Sequence, residues 1–366
     1  MIIGIDGHMI GDHSGGNESH YTNLLRAMAV DPSDTVYLFV KKNAIVSEFE
    51  SKFIIVRFKS DSAFIRNFFE LNRLCKEYKL DVLHTQYWIP IIRSCKVVCA
   101  IHDICFEHYK NIFTKKEYIR QKLLIPYSAK HSEYIFTLSE HAKKDIVDHY
   151  HVNPDKVIIT NCAVNGNFKV LTKEDVDETD IRIKYDIGNE PIVLSVGNLQ
   201  PRKNLPRLIE AFSNWKKESK STAKLVIVGK KAWMYSDILS AAGADLNNII
   251  LTDYVSEEDL ICLYNISTCF IYPSFFEGFG LPPLEAMACG TPVAVANATS
   301  LPEVVGDAGI YFDPFDVQSI QNAISVLMED SVLRSELSKK GIERNKLFSW
   351  EKSAQIIYCT YKKTDY

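Results

Sequence analysis

Short runs rich in β-branched and aromatic residues alternate along this chain with longer stretches whose apolar positions recur at helical spacing. The short runs predict strands at 2–5, 36–40, 53–58, 82–84, 97–101, 134–138 and 157–160. Around Asn165-Gly166 the composition changes, and 173–180 is polar and acidic. The rhythm then resumes, with strands expected at 192–197, 225–228, 249–252, 269–272 and 293–296. Strand and helix alternating in this way predict parallel sheets flanked by helices. The fold class expected is α/β, with two Rossmann-like domains facing across a cleft and ligands at the carboxyl ends of the strands. The expected division is 1–167, 168–349 and a final helix over 350–366. No long repeat and no low-complexity tract interrupts it.

Composition narrows the class. At 366 residues, the chain is long enough for two domains with their own cores. A hydrophobic fraction of 46% with 24% charged residues describes a globular protein. A net charge of −4 argues against general nucleic-acid binding. Nine cysteines without a C-x-x-C pair read as reduced thiols, several of them in apolar runs. All ten histidines fall at or before His151, and none sits in a zinc-binding spacing, so no metal is expected. The N-terminus has no basic leader, and no apolar stretch reaches bilayer-spanning length. The chain therefore reads as cytoplasmic, and soluble or at most peripheral at the inner face of a membrane.

The densest chemistry lies between Pro273 and Pro292, P-S-F-F-E-G-F-G-L-P-P-L-E-A-M-A-C-G-T-P. Leu281-Pro282-Pro283 opens a helix, because proline suits a first turn whose N–H groups lack partners. Gly278 and Gly280 let the preceding loop approach a ligand closely. Glu277 then stands before the helix and Glu285 about one turn inside it, with free N–H groups and the positive helix end between them. That arrangement suits a ligand with an anionic part and several hydroxyls, such as a nucleotide sugar. A bare E-x7-E is also what a solvated surface helix shows; the flanking glycines, prolines and apolar residues favour the ligand. A second feature is Arg202-Lys203, which follows a strand and a glycine loop at the expected start of a helix. A planar fork beside a point charge can clamp two phosphates, and an anion there would offset the unfavourable placing of cations at a helix N-terminus.

These residues resemble the retaining family-4 glycosyltransferases of the GT-B fold. Glu277 to Glu285 matches the family's E-x7-E signature, and Gly197 to Asn204 its glycine loop ending in Arg-Lys. The run 225–229 with 251–256 is similar to its nucleotide-base segment. Ile101-His102-Asp103 and 137–142 match N-terminal landmarks, and Ser14-Gly15-Gly16 falls at a phosphate-facing loop. The resemblance spans nearly the whole chain in the family's order. It implies ribose binding by Glu285 and donor-sugar binding by Glu277, His102 and the backbone of Gly278, Phe279, Gly280 and Leu281. Phosphate contacts are implied for Arg202, Lys203, Gly15, Gly16 and Gly197, and base contacts for Tyr254 and Val255. His102, Glu277, Arg202 and Lys203 are the expected catalytic set. The resemblance further implies retention of configuration, no cofactor beyond the donor, and a final helix that crosses back to the first domain. A UDP-hexose, UDP-glucose first, is expected as donor with GDP-mannose close behind. The acceptor expected is a glycan or lipid-linked sugar.

Some readings stay open at this level. Tyr254 suits a half-buried core position as well as a base contact, and His102 a structural role as well as a catalytic one. From Lys52 to Lys122 there are 14 Lys/Arg against 7 Asp/Glu, and segments 64–69 and 118–124 mix bases with large apolar groups. They suit either a lipid or membrane contact or two amphipathic helices packed on the first sheet. A glycoside hydrolase using the two glutamates is the enzymatic alternative, though it has no diphosphate for Arg202-Lys203 to hold. A nucleotide-sugar binder without turnover is the other.

Overall fold

Apolar runs long enough to be covered on both faces form the centre of two parallel sheets. The computed structural model describes residues 1–11, 16–172, 174, 178–230, 240 and 247–364. The chain divides into two compact units, one formed by Met1–Cys162 together with the segment from Ser349, the other by Ala163–Phe348.

In the first unit the strands are β1 (Ile2–Asp6), β2 (Thr35–Val40), β3 (Ile54–Arg57), β4 (Val82–Gln86), β5 (Lys96–Ala100), β6 (Ile135–Thr137) and β7 (Val157–Ile159). They lie in the order β3-β2-β1-β4-β5-β6-β7, every pairing parallel. The second unit holds β8 (Ile192–Val196), β9 (Lys224–Val228), β10 (Ile249–Asp253), β11 (Cys269–Tyr272), β12 (Val293–Ala296) and β13 (Gly309–Phe312). Their order is β10-β9-β8-β11-β12-β13, again all parallel. Both sheets reverse direction of growth beside their first strand, between β1 and β4 and between β8 and β11. Such switch points open a crevice at the carboxyl ends of the strands.

Every strand expected from the pattern is present to within two residues at either end, and β13 is the one the pattern does not predict. Its residues Gly309, Ile310 and Tyr311 are only half-buried, and at the sheet edge they lack the continuous apolar signal of the inner strands. Central strands are sealed: Leu83, Val98 and Cys99 in one sheet, and Val193, Leu194, Val226 and Phe270 in the other, are buried. Each such side chain contributes roughly 1.5–3 kcal/mol.

The helix Trp350–Lys363 belongs to the first unit. Its Tyr361 hydroxyl lies 2.6 Å from His84 Nδ1 on β4, and Ser353 Oγ donates to the Asn161 carbonyl at 2.7 Å. Tyr358 and Lys362 both reach the Asp34 carboxylate.

One backbone approach sets up the second unit's site. After β9, Gly229 has φ +158°, and a Cβ there would stand 2.1 Å from the Gly197 carbonyl oxygen. The loop after β8 and the loop after β9 therefore touch main chain to main chain, which only glycine allows. We expect Gly229→Ala to lower stability by about 3 kcal/mol, in the range of backbone clashes. Denaturant unfolding monitored by circular dichroism checks this, and an unchanged midpoint would refute the close approach.

Candidate active site at the carboxyl ends of β8 and β11

The loop after β8 runs from Gly197 to Lys203 and ends in a single 3-10 turn, Pro201–Lys203. Arg202 and Lys203 therefore stand on their own turn rather than at the start of the following helix, Leu205–Ser219. Asn204 between the two adopts φ +57°, ψ 28°, a left-handed conformation that asparagine tolerates. Its buried amide donates to the carbonyls of Pro314 (2.6 Å) and Pro273 (3.2 Å), so the turn is tied to the loop after β11. The Phe275 amide donates to the Arg202 carbonyl at 3.1 Å, a second tie between the same loops.

These ties bring together residues that the sequence assigns to separate tasks. Lys203 Nζ donates to Glu277 Oε1 at 2.6 Å and to the Tyr272 hydroxyl at 2.5 Å. Tyr272 in turn donates to Glu277 Oε1 at 3.0 Å, and Ser274 Oγ to the same oxygen at 2.6 Å. Arg202 approaches the other oxygen, Oε2, at 3.8 Å, which is charge proximity rather than a hydrogen bond. The Glu277 amide donates to Thr299 Oγ1 at 3.0 Å, and Ser300 Oγ donates toward the Glu277 and Phe279 carbonyls. Gly197 has no side chain, so the Lys203 stem passes over it, 3.1 Å from where a Cβ would stand.

Electrostatics follow from this packing. Burial by itself would raise the Glu277 carboxyl, but Arg202, Lys203 and Ser274 outweigh it and hold the group at about 2. Moving a carboxyl from 4.5 to about 2 is worth about 3 kcal/mol of preference for the charged form. Glu285 is different. It sits inside helix Leu281–Ala288, half-buried, with one hydrogen bond from the Tyr264 hydroxyl at 3.0 Å. Desolvation pushes it up to about 7, against the pull of that hydroxyl. One carboxylate is thus fixed in its charged form, and the other is poised to change charge near neutrality.

The remaining expected residues are placed as follows. Gly280 precedes the helix with φ +107°, a conformation suited to glycine, and Phe279 is buried. Leu281 opens the helix and is half-buried. Gly278 is buried in the loop. Val255 is buried, whereas Tyr254 is 67% exposed with Lys230 Nζ 4.5 Å above its ring, so it is not a core aromatic. In the first unit, Gly16 opens the helix Gly16–Ala27, and a Cβ there would meet nothing within 4 Å among the described residues; Ser14 and Gly15 lie outside them. His102 follows β5, buried beside His20 with ring centroids 4.7 Å apart. Burial lowers it to about 4, so its imidazole is neutral near pH 7. The Asp103 carboxylate accepts from the Cys105 amide at 3.0 Å.

Sequence reasoning missed Tyr272, Ser274, Thr299 and Tyr264. Tyr272 left a signal, since a hydroxyl-bearing aromatic closes an otherwise apolar strand. Thr299 left none beyond a chance Asn-x-Thr triplet. Among the described residues no group of three or more His, Cys, Asp and Glu side chains is placed to hold a metal.

Comparison with known proteins agrees with this architecture. The description "Glycosyl transferases group 1" matches residues 177–344, and "Glycosyltransferase Family 4" matches 14–167. The O-antigen chain mannosyltransferase B of Escherichia coli is 32% identical over 298 residues, covering 78% of this chain and 75% of its own. The serotype-specific mannosyltransferase WbdA of Escherichia coli is 32% identical over 71% of this chain, which spans only 32% of that longer protein. Among solved structures, Anabaena HepE in complex with UDP-glucose is similar at TM-score 0.77 and 15% identity, over 99% of this chain and 100% of that one. Two parallel-sheet units with these structural neighbours show the GT-B fold. The chain belongs to glycosyltransferase family 4.

Removing the Glu277 charge leaves Lys203 buried without its counter-ion. Glu277→Gln is expected to destabilise the protein by about 3–5 kcal/mol, read from denaturant midpoints, with Glu277→Gln/Lys203→Met recovering part of the loss. Because the folded-state pKa is depressed, the contribution of Glu277 is present above pH 4.5 and fades as pH falls through about 2.

Proposed function

We propose that the chain transfers a hexose, with retention at the anomeric carbon, from a nucleotide-diphosphate sugar to a glycan or lipid-linked sugar in polysaccharide or glycolipid synthesis. The observation that carries this reading is the Arg202–Lys203–Glu277 cluster at the switch point of the second sheet. Two cations there suit a diphosphate. Oε2 of Glu277 makes no hydrogen bond among the described residues, so the carboxylate keeps capacity for a sugar hydroxyl. Glu285, one turn into its helix, is the proposed ribose partner.

The donor favoured is GDP-mannose. Relatives about one-third identical over most of this chain are named mannosyltransferases, while the UDP-glucose neighbour shares the fold alone. That reverses the order expected from the sequence, in which UDP-glucose came first. Catalysis in this reading needs no metal: Arg202 and Lys203 neutralise the leaving diphosphate, and the departing phosphate takes the acceptor proton on the same face. Most of the barrier reduction then comes from positioning and charge stabilisation. His102, neutral in its buried position, would contact the donor sugar rather than supply a positive charge.

The first test is calorimetric titration of GDP and UDP, with and without EDTA, followed by turnover of GDP-mannose and UDP-glucose. Glu285→Ala should weaken nucleotide binding about tenfold, the equivalent of one good hydrogen-bonding carboxylate. Wild-type affinity should rise as pH passes through about 7, where Glu285 loses its proton, and Glu285→Gln should abolish that rise. Arg202→Ala should reduce kcat more than donor affinity. Absence of binding to either nucleotide would return the hydrolase reading.

A peripheral membrane contact through the first unit is part of the proposal. No helix among the described residues is long and apolar enough to cross a membrane. Instead Phe64 and Phe69, 61% and 64% exposed, stand outward with Ile65, and Ile119 and Leu123 stand outward beside Lys116, Arg120 and Lys122. Exposed apolar groups, with bases beside those at 119 and 123, suit an anionic bilayer surface. Co-sedimentation should occur with vesicles containing phosphatidylglycerol and not with phosphatidylcholine alone. Phe64→Ser/Phe69→Ser should cut it several-fold, and equal binding by the variant would remove these residues from the contact.

A further inference from the structure

The segment 63–70 is folded inside out. Phe64, Ile65 and Phe69 face solvent, while Arg66, Asn67 and Glu70 are buried. A π-helical turn spans Arg66–Glu70, and the inward face it shares with the following helix carries Arg66, Asn67 and Glu70 before Leu71, Leu74 and Cys75. Glu70 has an evident structural task, since its carboxylate accepts from the amides of Lys59 and Ser60. Arg66 does not. It is 4% exposed, yet its Nε has no hydrogen-bond partner among the described residues. Among the described residues it is paired with Asp6, whose Oδ2 is 3.9 Å away, beyond hydrogen-bond reach, and the Phe58 ring lies 5.8 Å off.

Arg66 meets the switch point of the first sheet. Asp6 is the last residue of β1 and Gln86 the last of β4, the two strands that flank the reversal. Both are buried, and among the described residues both amide atoms of Gln86 lack a well-formed hydrogen bond. Gln86 lies beside the Tyr21 hydroxyl, which also feels the Asp6 charge. Asp6 is held by His8, through the backbone N–H at 3.2 Å and Nδ1 at 3.0 Å. His102, two residues past β5, adds a buried Nε2 without a hydrogen-bond partner among the described residues. Folding seldom leaves several buried polar atoms unmet at the ends of neighbouring strands, because each costs its desolvation.

The chemistry of the set narrows what would satisfy it. Arg66 only donates, Asp6 only accepts, and Gln86 does both. An anion would meet Arg66 but oppose the Asp6 carboxylate beside it. A hydroxyl donates and accepts at once, so two adjacent hydroxyls can answer all three side chains. We propose that Arg66, Gln86 and Asp6 form the recognition site for a vicinal diol of a neutral pyranose, the sugar that receives the transferred residue. The inference rests on the glycosyl-transfer reading and assigns its acceptor side to named residues.

The test is ligand-observed NMR titration of methyl α-D-mannopyranoside onto the full chain, with inorganic phosphate as the anionic probe and GDP and UDP titrated in parallel. Wild type should bind the glycoside saturably and phosphate should not displace it. Arg66→Met should weaken glycoside binding about tenfold or more, the order expected for lost hydrogen bonds to a charged group. Nucleotide affinity should stay within about twofold. Its thermal midpoint should fall, because buried Asp6 loses one of the cations that hold it ionised, so binding is compared in the variants that stay folded. Gln86→Met should weaken the glycoside in the same way and serves if Arg66→Met does not fold. Unaltered glycoside binding in the folded variants, or wild-type binding of phosphate in place of the glycoside, would overturn the assignment. Nucleotide failure with intact glycoside binding would instead count against the donor reading.

Discussion

A buried carboxylate held in its charged form by two cations is the constraint around which the second unit's site is arranged. An isolated ion of that size could not be buried at Glu277; desolvation would drive it neutral. Lys203, Tyr272 and Ser274 converge on one of its oxygens, and Arg202 supplies charge at the other. The surrounding backbone serves this convergence. Asn204 in its left-handed conformation, Gly197 beneath the lysine stem and Gly229 against Gly197 all hold the Lys203 turn beside the loop after β11. Charge balance and loop geometry are therefore one arrangement, with an anionic ligand as its natural competitor for the cations.

The contrast between the two glutamates shows how environment divides labour between identical side chains. Both belong to one loop-helix element eight residues apart. Glu277 faces cations and hydroxyl donors, whereas Glu285 faces the Tyr264 hydroxyl and feels the Glu257 charge. The first is a fixed charge; the second carries a proton that a bound ligand can displace. Sequence spacing alone does not distinguish them, because the distinguishing partners, Lys203, Tyr272 and Tyr264, come from other strands and helices.

Much of the fold was legible because parallel strands buried on both faces leave continuous apolar runs. The run at 269–272 is found to the residue, whereas Gly309–Phe312, at the edge and half-solvated, carries too little of that signal. Arg202, Lys203, Glu277 and Glu285 could be picked out from their positions after strands and beside glycines, but their mutual contacts could not. The basic, aromatic segment 64–69 was legible as amphipathic, yet amphipathicity does not say which face turns inward. Here Arg66, Asn67 and Glu70 turn inward and Phe64 and Phe69 outward, and nothing in the local pattern announces it. The sequence leaves Tyr254 open between a core position and a base contact, and its ring lies in solvent beneath Lys230, which removes the first.

The first unit is discontinuous in sequence. Strand β4 relies on Tyr361 for the hydrogen bond to His84, and the Asp34 carboxylate relies on Tyr358 and Lys362. On a ribosome, the seven strands of that sheet emerge long before the helix that completes them, and the whole second unit is made in the interval. The second unit can thus reach its native state as a self-contained insertion, while the first waits, with one flank unfinished, until the chain beyond Ser349 arrives. Order of synthesis and order of completion run in opposite directions, and the half-built first unit is the species that chaperones would meet.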